Sequence, residues 1–285
     1  MNIGAFEIDG PVPALRDLHV ITILRPWLDA GSVGTLALGA LEEHFRARPL
    51  GQLTLPGRFF DFTRYRPLVH YVEDERVMTV PNVRLSYVQR PEPPDLVFLH
   101  LLEPHANAEA YIDTLLELVK ALKVRRVCRL GGMWDAIPHT RTLPVTRTTG
   151  GQRPRTARRY EGPTSIMNLF FEALEKEGIE TVAFMVRLPY YIQLEEDYAG
   201  VARLMEAFGE LYPLPPDLVD PARLQQQQRE VEAELARNPA AATLIRQLEA
   251  EYDAQQAATS DAPPPPLPPA VERFLRELDE DPPSG

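Results

Sequence analysis

The sequence predicts an α/β fold: a mainly parallel sheet covered by helices on both faces, followed by a C-terminal helical appendage. Three observations predict it. Apolar runs of strand length recur at Leu18–Leu24, Leu96–Leu102, Val127–Leu130 and Thr181–Arg187, as expected of strands buried on both faces. Segments with helical apolar spacing alternate with these runs, which is the rhythm of βαβ units. After Pro213–Pro216 the composition shifts to Gln, Glu, Ala and Arg. The expected division is therefore a core over residues 1–212, a helical hairpin over 213–257 and a proline-rich acidic tail over 258–285.

The first strand, Leu18–Leu24, ends at Arg25-Pro26. A helix follows, with Val33, Leu36, Ala37, Ala40, Leu41 and Phe45 on its apolar face and Asp29 or Ser32 as its cap. Pro56, Pro67 and Pro81 separate the β-prone pieces Gly57–Phe62, Leu68–Val72 and Val83–Val88, which read as strands extending the sheet. Leu96–Leu102 is an interior strand stopped by Glu103-Pro104. From about Asn107, the residues Ala108, Tyr111, Ile112, Leu115, Leu116, Val119 and Leu122 share one helix face. The strand up to Leu130 then meets Gly131-Gly132, where glycine allows the backbone to turn or a ligand to approach closely. The chain continues through Asp135, Pro138, His139 and Arg141 into an arginine-rich loop. Beyond the loop, Thr164 is the expected cap of a helix running to Lys176 and closed by Gly178. A strand at Thr181–Arg187 and a helix over about residues 195–211 complete the core. Two polar helices, residues 221–237 and 239–256, are broken at Asn238-Pro239 because proline disfavours helix in the residue before it. Their sparse apolar residues suit a hairpin packed on the core or on a neighbouring subunit. The run Pro263–Pro269 predicts a stiff polyproline spacer. Val271, Phe274, Leu275 and Leu278 then follow at helical spacing, a segment able to dock in a partner's groove.

Charge and composition exclude several classes. With a formal net charge of −11, nucleic acid is not the expected partner, because phosphate neutralisation dominates such binding. No apolar run approaches the roughly 20 residues of a spanning helix, so no membrane association is expected. The first thirteen residues carry Glu7 and Asp9 and no positive stretch, so no signal peptide is expected. The single cysteine, Cys128, can form no disulfide within the chain, which fits a cytoplasmic protein. Embedded in an apolar strand, it reads as a small buried hydrophobe. Residues 220–256 carry −3 and residues 261–285 carry −4, whereas Ala136–Tyr160 holds six arginines and no acid. That reversal predicts a patch for anions or for a partner at Arg147, Arg153, Arg155, Arg158 and Arg159, including contact with the chain's own acidic appendage.

Candidate chemistry gathers at the carboxyl ends of the strands, where α/β sheets bind ligands. Asp29, Glu103, Gly131, Gly132, His139 and Arg141 are expected there and could line one cleft. The competing structural roles are a helix cap for Asp29, backbone amides held by Asp29 and Glu103, and an ion pair from Arg141 to one of these two carboxylates that fixes loops. A metal at His100 and Glu103 is not expected, since the two side chains would leave a strand on opposite faces. The catalytic residue type cannot be assigned: there is no Gly-x-Ser-x-Gly elbow and no phosphate-cradling glycine loop.

Seven markers occur in order: Trp27-Leu28-Asp29-Ala30-Gly31; Phe60-Asp61-Phe62 with Arg66-Pro67; Glu103-Pro104; Gly131-Gly132; Pro138-His139-Thr140-Arg141; Tyr160-Glu161-Gly162-Pro163; and Pro189-Tyr190. Together they resemble the bacterial branch of the proteasome assembly chaperone 2 family over roughly residues 15–256. The resemblance implies a three-layer α/β/α fold, phosphorylase/hydrolase-like, and a homo-oligomer, with a trimer expected. It also adds Tyr160 and Glu161 to the residues of the rim. An ATP-grasp or carboxylate–amine ligase relationship is also spoken of for this family, but the sequence shows no clear set of magnesium-binding carboxylates. Relatives that dock on proteasomes can end in a hydrophobic-tyrosine-any-residue tail, whereas this sequence ends Asp281-Pro282-Pro283-Ser284-Gly285. The expected function is non-enzymatic, through contacts with other copies and with other proteins via the tail, without cofactor or metal. The alternative is an enzyme or sensor holding a nucleoside, nucleotide or carboxylate in the rim cleft.

Overall fold

The structure, a computed structural model, describes residues 1–150, 162–215 and 218–260. Its strands in chain order are β1 (Asn2–Ile3), β2 (Phe6–Ile8), β3 (His19–Arg25), β4 (Arg48–Leu53), β5 (Leu68–Val72), β6 (Glu75–Thr79), β7 (Arg84–Val88), β8 (Leu96–Leu102), β9 (Arg126–Asp135), β10 (Val145–Thr149) and β11 (Glu180–Pro189). The helices are α1 (Val33–Phe45), α2 (Ala108–Ala121), α3 (Ile166–Lys176), α4 (Tyr198–Gly209), α5 (Pro221–Ala236) and α6 (Pro239–Ser260). The main sheet has the order β1-β2-β4-β7-β8-β3-β9-β11-β10, and β5-β6 form a separate hairpin.

The four apolar runs become the parallel centre, β8-β3-β9-β11. Every residue of β8 is buried, which is why that stretch shows no polar alternation. The outer strands pair antiparallel on both sides, so the parallel character is confined to the centre of a mixed sheet.

α1 and α4 cover one face, packing Leu38, Leu41, Leu204 and Phe208 with Ile21, Ile23, Phe98 and Phe184. α2 and α3 cover the other, packing Tyr111, Leu115, Phe170 and Leu174 with Val20, Leu24, Val97 and Val127. Each such side chain contributes about 1.5–3 kcal/mol when fully buried, so these two clusters hold the three layers together. Cys128 lies in the first cluster, where burial pushes its thiol up to about 12, consistent with a packing role. α5 buries none of its residues, and α6 buries Ala241 and Leu248. These helices lie outside the core clusters.

Two strand expectations change. Gly57–Phe62 is a 3-10 turn at Pro56–Arg58 followed by a second turn. Phe59 and Phe60 are both buried and their rings pack on each other and on Tyr111, and the Asp61 carboxylate accepts the Thr63 amide at 2.8 Å to close the turn. Leu68–Val72 is a strand, but it pairs with β6 outside the main sheet. β4 escaped notice because Pro49 and Gly51 punctuate it, and the pairing shifts register between them.

A titratable residue is built into the core. His19 is buried, with Nδ1 2.7 Å from the Tyr212 hydroxyl and Nε2 shielded without a hydrogen bond, 4.0 Å from the Asp17 carboxylate. Burial, aided by Arg126, lowers its pKa from 6.5 to about 4. An unfolded imidazole is protonated near 6.5 while the folded one resists until about 4. The contribution of this group is therefore intact above 6.5 and lost as pH falls towards 4, by about 3 kcal/mol in all. We predict that His19→Asn, which keeps an acceptor for Tyr212, flattens the decline of unfolding free energy over that window; a slope equal to that of the wild type would contradict this.

Candidate functional site

The carboxyl ends of β3, β8, β9 and β11 form a rim whose shape depends on the loop after β3. Leu28 sits at φ +67°, a left-handed conformation that a branched side chain adopts only when its surroundings hold it there. Its carbonyl accepts the Gly132 amide at 2.9 Å, and Asp29 forms a parallel bridge to Gly132. Glycine is required on β9 for this approach. A Cβ on Gly131 would lie 2.5 Å from the Leu28 carbonyl oxygen, and one on Gly132 would lie 2.4 Å from Val33 Cγ2.

Asp29 then turns into α1. Its Oδ1 accepts the Gly34 amide at 2.7 Å and the Thr35 amide at 3.1 Å, and its Oδ2 accepts the Thr35 hydroxyl at 2.6 Å. Ser32, the other candidate cap, makes no side-chain cap bond.

Glu103 lies near the start of α3, where Oε1 accepts the Ile166 amide at 3.4 Å. Its Oε2 is shielded with no partner, and burial raises its pKa. The turn after it is tied to the Phe60 turn: the His105 amide donates to the Phe59 carbonyl at 2.8 Å, and the Tyr65 hydroxyl donates to the Glu103 carbonyl at 3.1 Å. His100 points to the other face, with Nε2 2.8 Å from Glu42 of α1.

His139 pairs with Tyr191, whose hydroxyl accepts the His139 amide at 2.9 Å and lies 2.7 Å from Nδ1. Burial lowers the pKa of this imidazole. Arg141 grips α6, donating from Nε and Nη2 to Asp253 at 2.9 Å each and from Nη1 to Glu249 at 3.1 Å. Thr140 and Tyr252 add two more bonds across the same contact. Asp29, Glu103, His139 and Arg141 thus share a rim, but each has its own neighbours. Arg147 lies over the Phe184 ring at 5.6 Å. Arg153, Arg155, Arg158, Arg159, Tyr160 and Glu161, and the tail residues Val271, Phe274, Leu275 and Leu278, lie outside the described residues.

Beside a cleft of about 290 Å³ that His139 lines with Pro189 and Asp197, two larger clefts open along the rim, one at Arg25 and one at Pro26-Trp27. The larger, about 1070 Å³, is lined by Arg25, Arg58, Arg66 and Arg84 together with apolar residues of the hairpin, and no acid is among its described lining residues. Arg25 Nε is shielded without a partner, and burial followed by repulsion from Arg84 lowers the pKa of its guanidinium. The smaller cleft, about 510 Å³, lies between Trp27 and the start of α3 and contains Arg129 and Ser165. Sequence reasoning missed both of these residues. The readable signal was an arginine inside the buried run Val127–Leu130.

A model of the PAC2 family matches residues 23–238. No curated protein matches the chain. A PAC2 family protein from Streptomyces avermitilis is 25% identical and superimposes with a TM-score of 0.68, over 80% of this chain and 99% of its own. A proteasome-assembly chaperone homologue from Mycobacterium tuberculosis is also 25% identical, with a TM-score of 0.69 and the same coverage. Pyrococcus furiosus PbaB, an archaeal proteasome activator, shares the fold at 15% identity, with a TM-score of 0.61 over 82% of this chain and 98% of its own.

Two variants separate structural roles on the rim. Asp29→Ala removes a helix cap and should lower unfolding free energy by about 1–2 kcal/mol in chemical denaturation; an unchanged midpoint would mean that the carboxylate does not hold α1. Arg141→Ala should speed amide exchange in α6 while leaving the central strands protected. About 1 M salt, where screening acts within ~3 Å, should do the same to the wild type.

Proposed function

The chain belongs to the PAC2 family, and on that premise we propose that it is a proteasome-assembly-chaperone-like protein: a non-enzymatic, cytoplasmic homo-oligomer, trimeric as the family resemblance implies, that works through contacts with other proteins. The observation that carries this reading is the β5–β6 hairpin, all ten of whose residues are exposed. Leu68, Tyr71 and Met78 are 65%, 70% and 57% exposed. A lone two-stranded hairpin is marginal in water, and a cluster of exposed apolar residues marks an interaction surface. A second copy of the chain is the partner that supplies the missing layer.

The similarity to a protein described as a proteasome-assembly chaperone homologue supports the same reading. The tail set Val271, Phe274, Leu275 and Leu278 is a second proposed contact, for a partner other than the chain itself. The cytoplasmic assignment draws on the single cysteine.

A second reading, an enzyme or sensor for a nucleoside, nucleotide or carboxylate, draws on the four arginines of the larger cleft, among whose described lining residues there is no acid. A nucleotide and acidic-metabolite panel that leaves the melting temperature unmoved would remove it.

For the first reading, the Leu68→Asp, Met78→Asp double variant is the direct test. Both sites are exposed in the single chain, so its folding free energy should change little, within about 0.5 kcal/mol per site. Native mass spectrometry should show the wild type as an oligomer and the variant as monomer. A monomeric wild type, or a variant that stays fully assembled, would overturn the hairpin contact.

A further inference from the structure

Arg129 stands in the middle of β9, on the face covered by α3, with its guanidinium over the Phe171 ring at 5.3 Å. Its Nε and Nη1 are shielded from solvent, and neither has a hydrogen-bond partner. Burial holds the group down to about 10, and no carboxylate among the described residues acts on it. A charge in such a position is costly unless something pairs with it. Arginine elsewhere on the rim is paired where it meets acid, as Arg141 is with Asp253 and Arg187 with Asp135.

The space beside Arg129 is the smaller rim cleft, and its other features agree with an anion. Ser165 is buried and its hydroxyl has no partner, so a donor is available on the opposite wall. α3 begins at the next residue, Ile166, and runs for 11 residues, which adds the positive end of a helix dipole. No acidic residue is among the described residues of the lining. The rest of the wall combines the apolar Trp27, Leu28, Met133 and Trp134 with Thr164 and Asn168, whose side chains are hydrogen-bonded to each other; Trp27 and Met133 are about half exposed.

One guanidinium and one hydroxyl match a single negative charge, and the two tryptophans match a flat apolar body attached to it. We propose that this cleft is a binding site for a small organic carboxylate, with Arg129 pairing the carboxylate, Ser165 donating a second hydrogen bond, and Trp27 and Trp134 flanking the apolar part. The site is separate from the hairpin surface and from the four-arginine cleft, so it stands whether or not either of those readings holds.

The test is thermal unfolding of the full chain with benzoate, benzamide or inorganic phosphate, on wild type, Arg129→Met and Ser165→Ala. Methionine removes the unpaired charge at similar length, so Arg129→Met should fold at least as well as the wild type without ligand. Benzoate should raise the wild-type melting temperature saturably, and benzamide, its neutral analogue, should not. The apparent benzoate affinity should fall about tenfold or more in Arg129→Met, and less in Ser165→Ala, the loss expected for a hydrogen bond to a charged group. A wild type indifferent to benzoate overturns the proposal, as does an undiminished response in Arg129→Met. Phosphate acting as strongly as benzoate overturns the carboxylate assignment.

Discussion

The rim depends on one backbone contact, the Gly132 amide donating to the Leu28 carbonyl. It pins the loop after β3 against the start of the exit from β9, and two side-chain-free residues are the condition for it. From that point the consequences spread outward in sequence order. Asp29 is placed to cap α1, and the Gly31 carbonyl is placed to accept the Asp197 amide at 2.8 Å. Asp197 in turn caps α4 through the Gly200 amide and accepts from Gln227 of α5. One close approach of two backbones therefore orients three helices, including the first helix of the appendage.

Charge on the rim is divided rather than pooled. The acidic surplus of the appendage is spent at Arg141, where two carboxylates of α6 meet one guanidinium. That contact is exposed and screened, and it serves to locate a helix more than to stabilise the fold. Arg129 and Arg25 are the opposite case, since each keeps shielded guanidinium nitrogens with no hydrogen-bond partner in the single chain. Arginines of one sequence thus separate into those that the chain satisfies by itself and those that await something else.

Much of this was legible in the sequence. The four central strands announced themselves because strands buried on both faces cannot hide their apolar character, whereas Gly131-Gly132, expected as a turn or a ligand approach after Leu130, continue β9 to Asp135 and admit the Leu28 backbone instead. The antiparallel flanks were harder, because half-exposed edge strands such as β10, with the sequence VTRTT, carry no continuous apolar signal. Asp29 was readable as a cap from its place ahead of a helix. The partners of His139 and Arg141 were not, because Tyr191 and Asp253 lie 52 and 112 residues away in sequence. Only the order of the crossovers brings such pairs together, and spacing along the chain does not encode it. Arg129 was visible as a misfit but not as part of a site, because its neighbour Ser165 comes from the far side of the arginine-rich loop.

The exposed hairpin and the larger cleft are not independent features, since Leu68, Met78 and Thr79 belong to both. A second copy packed on the hairpin would close one wall of that cleft and strip water from Arg25, Arg58, Arg66 and Arg84. Four guanidinium groups cannot be desolvated together without counter-charge. Either the neighbouring copy brings carboxylates, of which a chain with net charge −11 has a surplus, or an anionic ligand enters as the interface forms. In the second case, binding and assembly are linked reciprocally, each strengthening the other by the same free energy. Oligomerisation and anion binding are then two views of one equilibrium, set by where this chain leaves its positive charge unpaired.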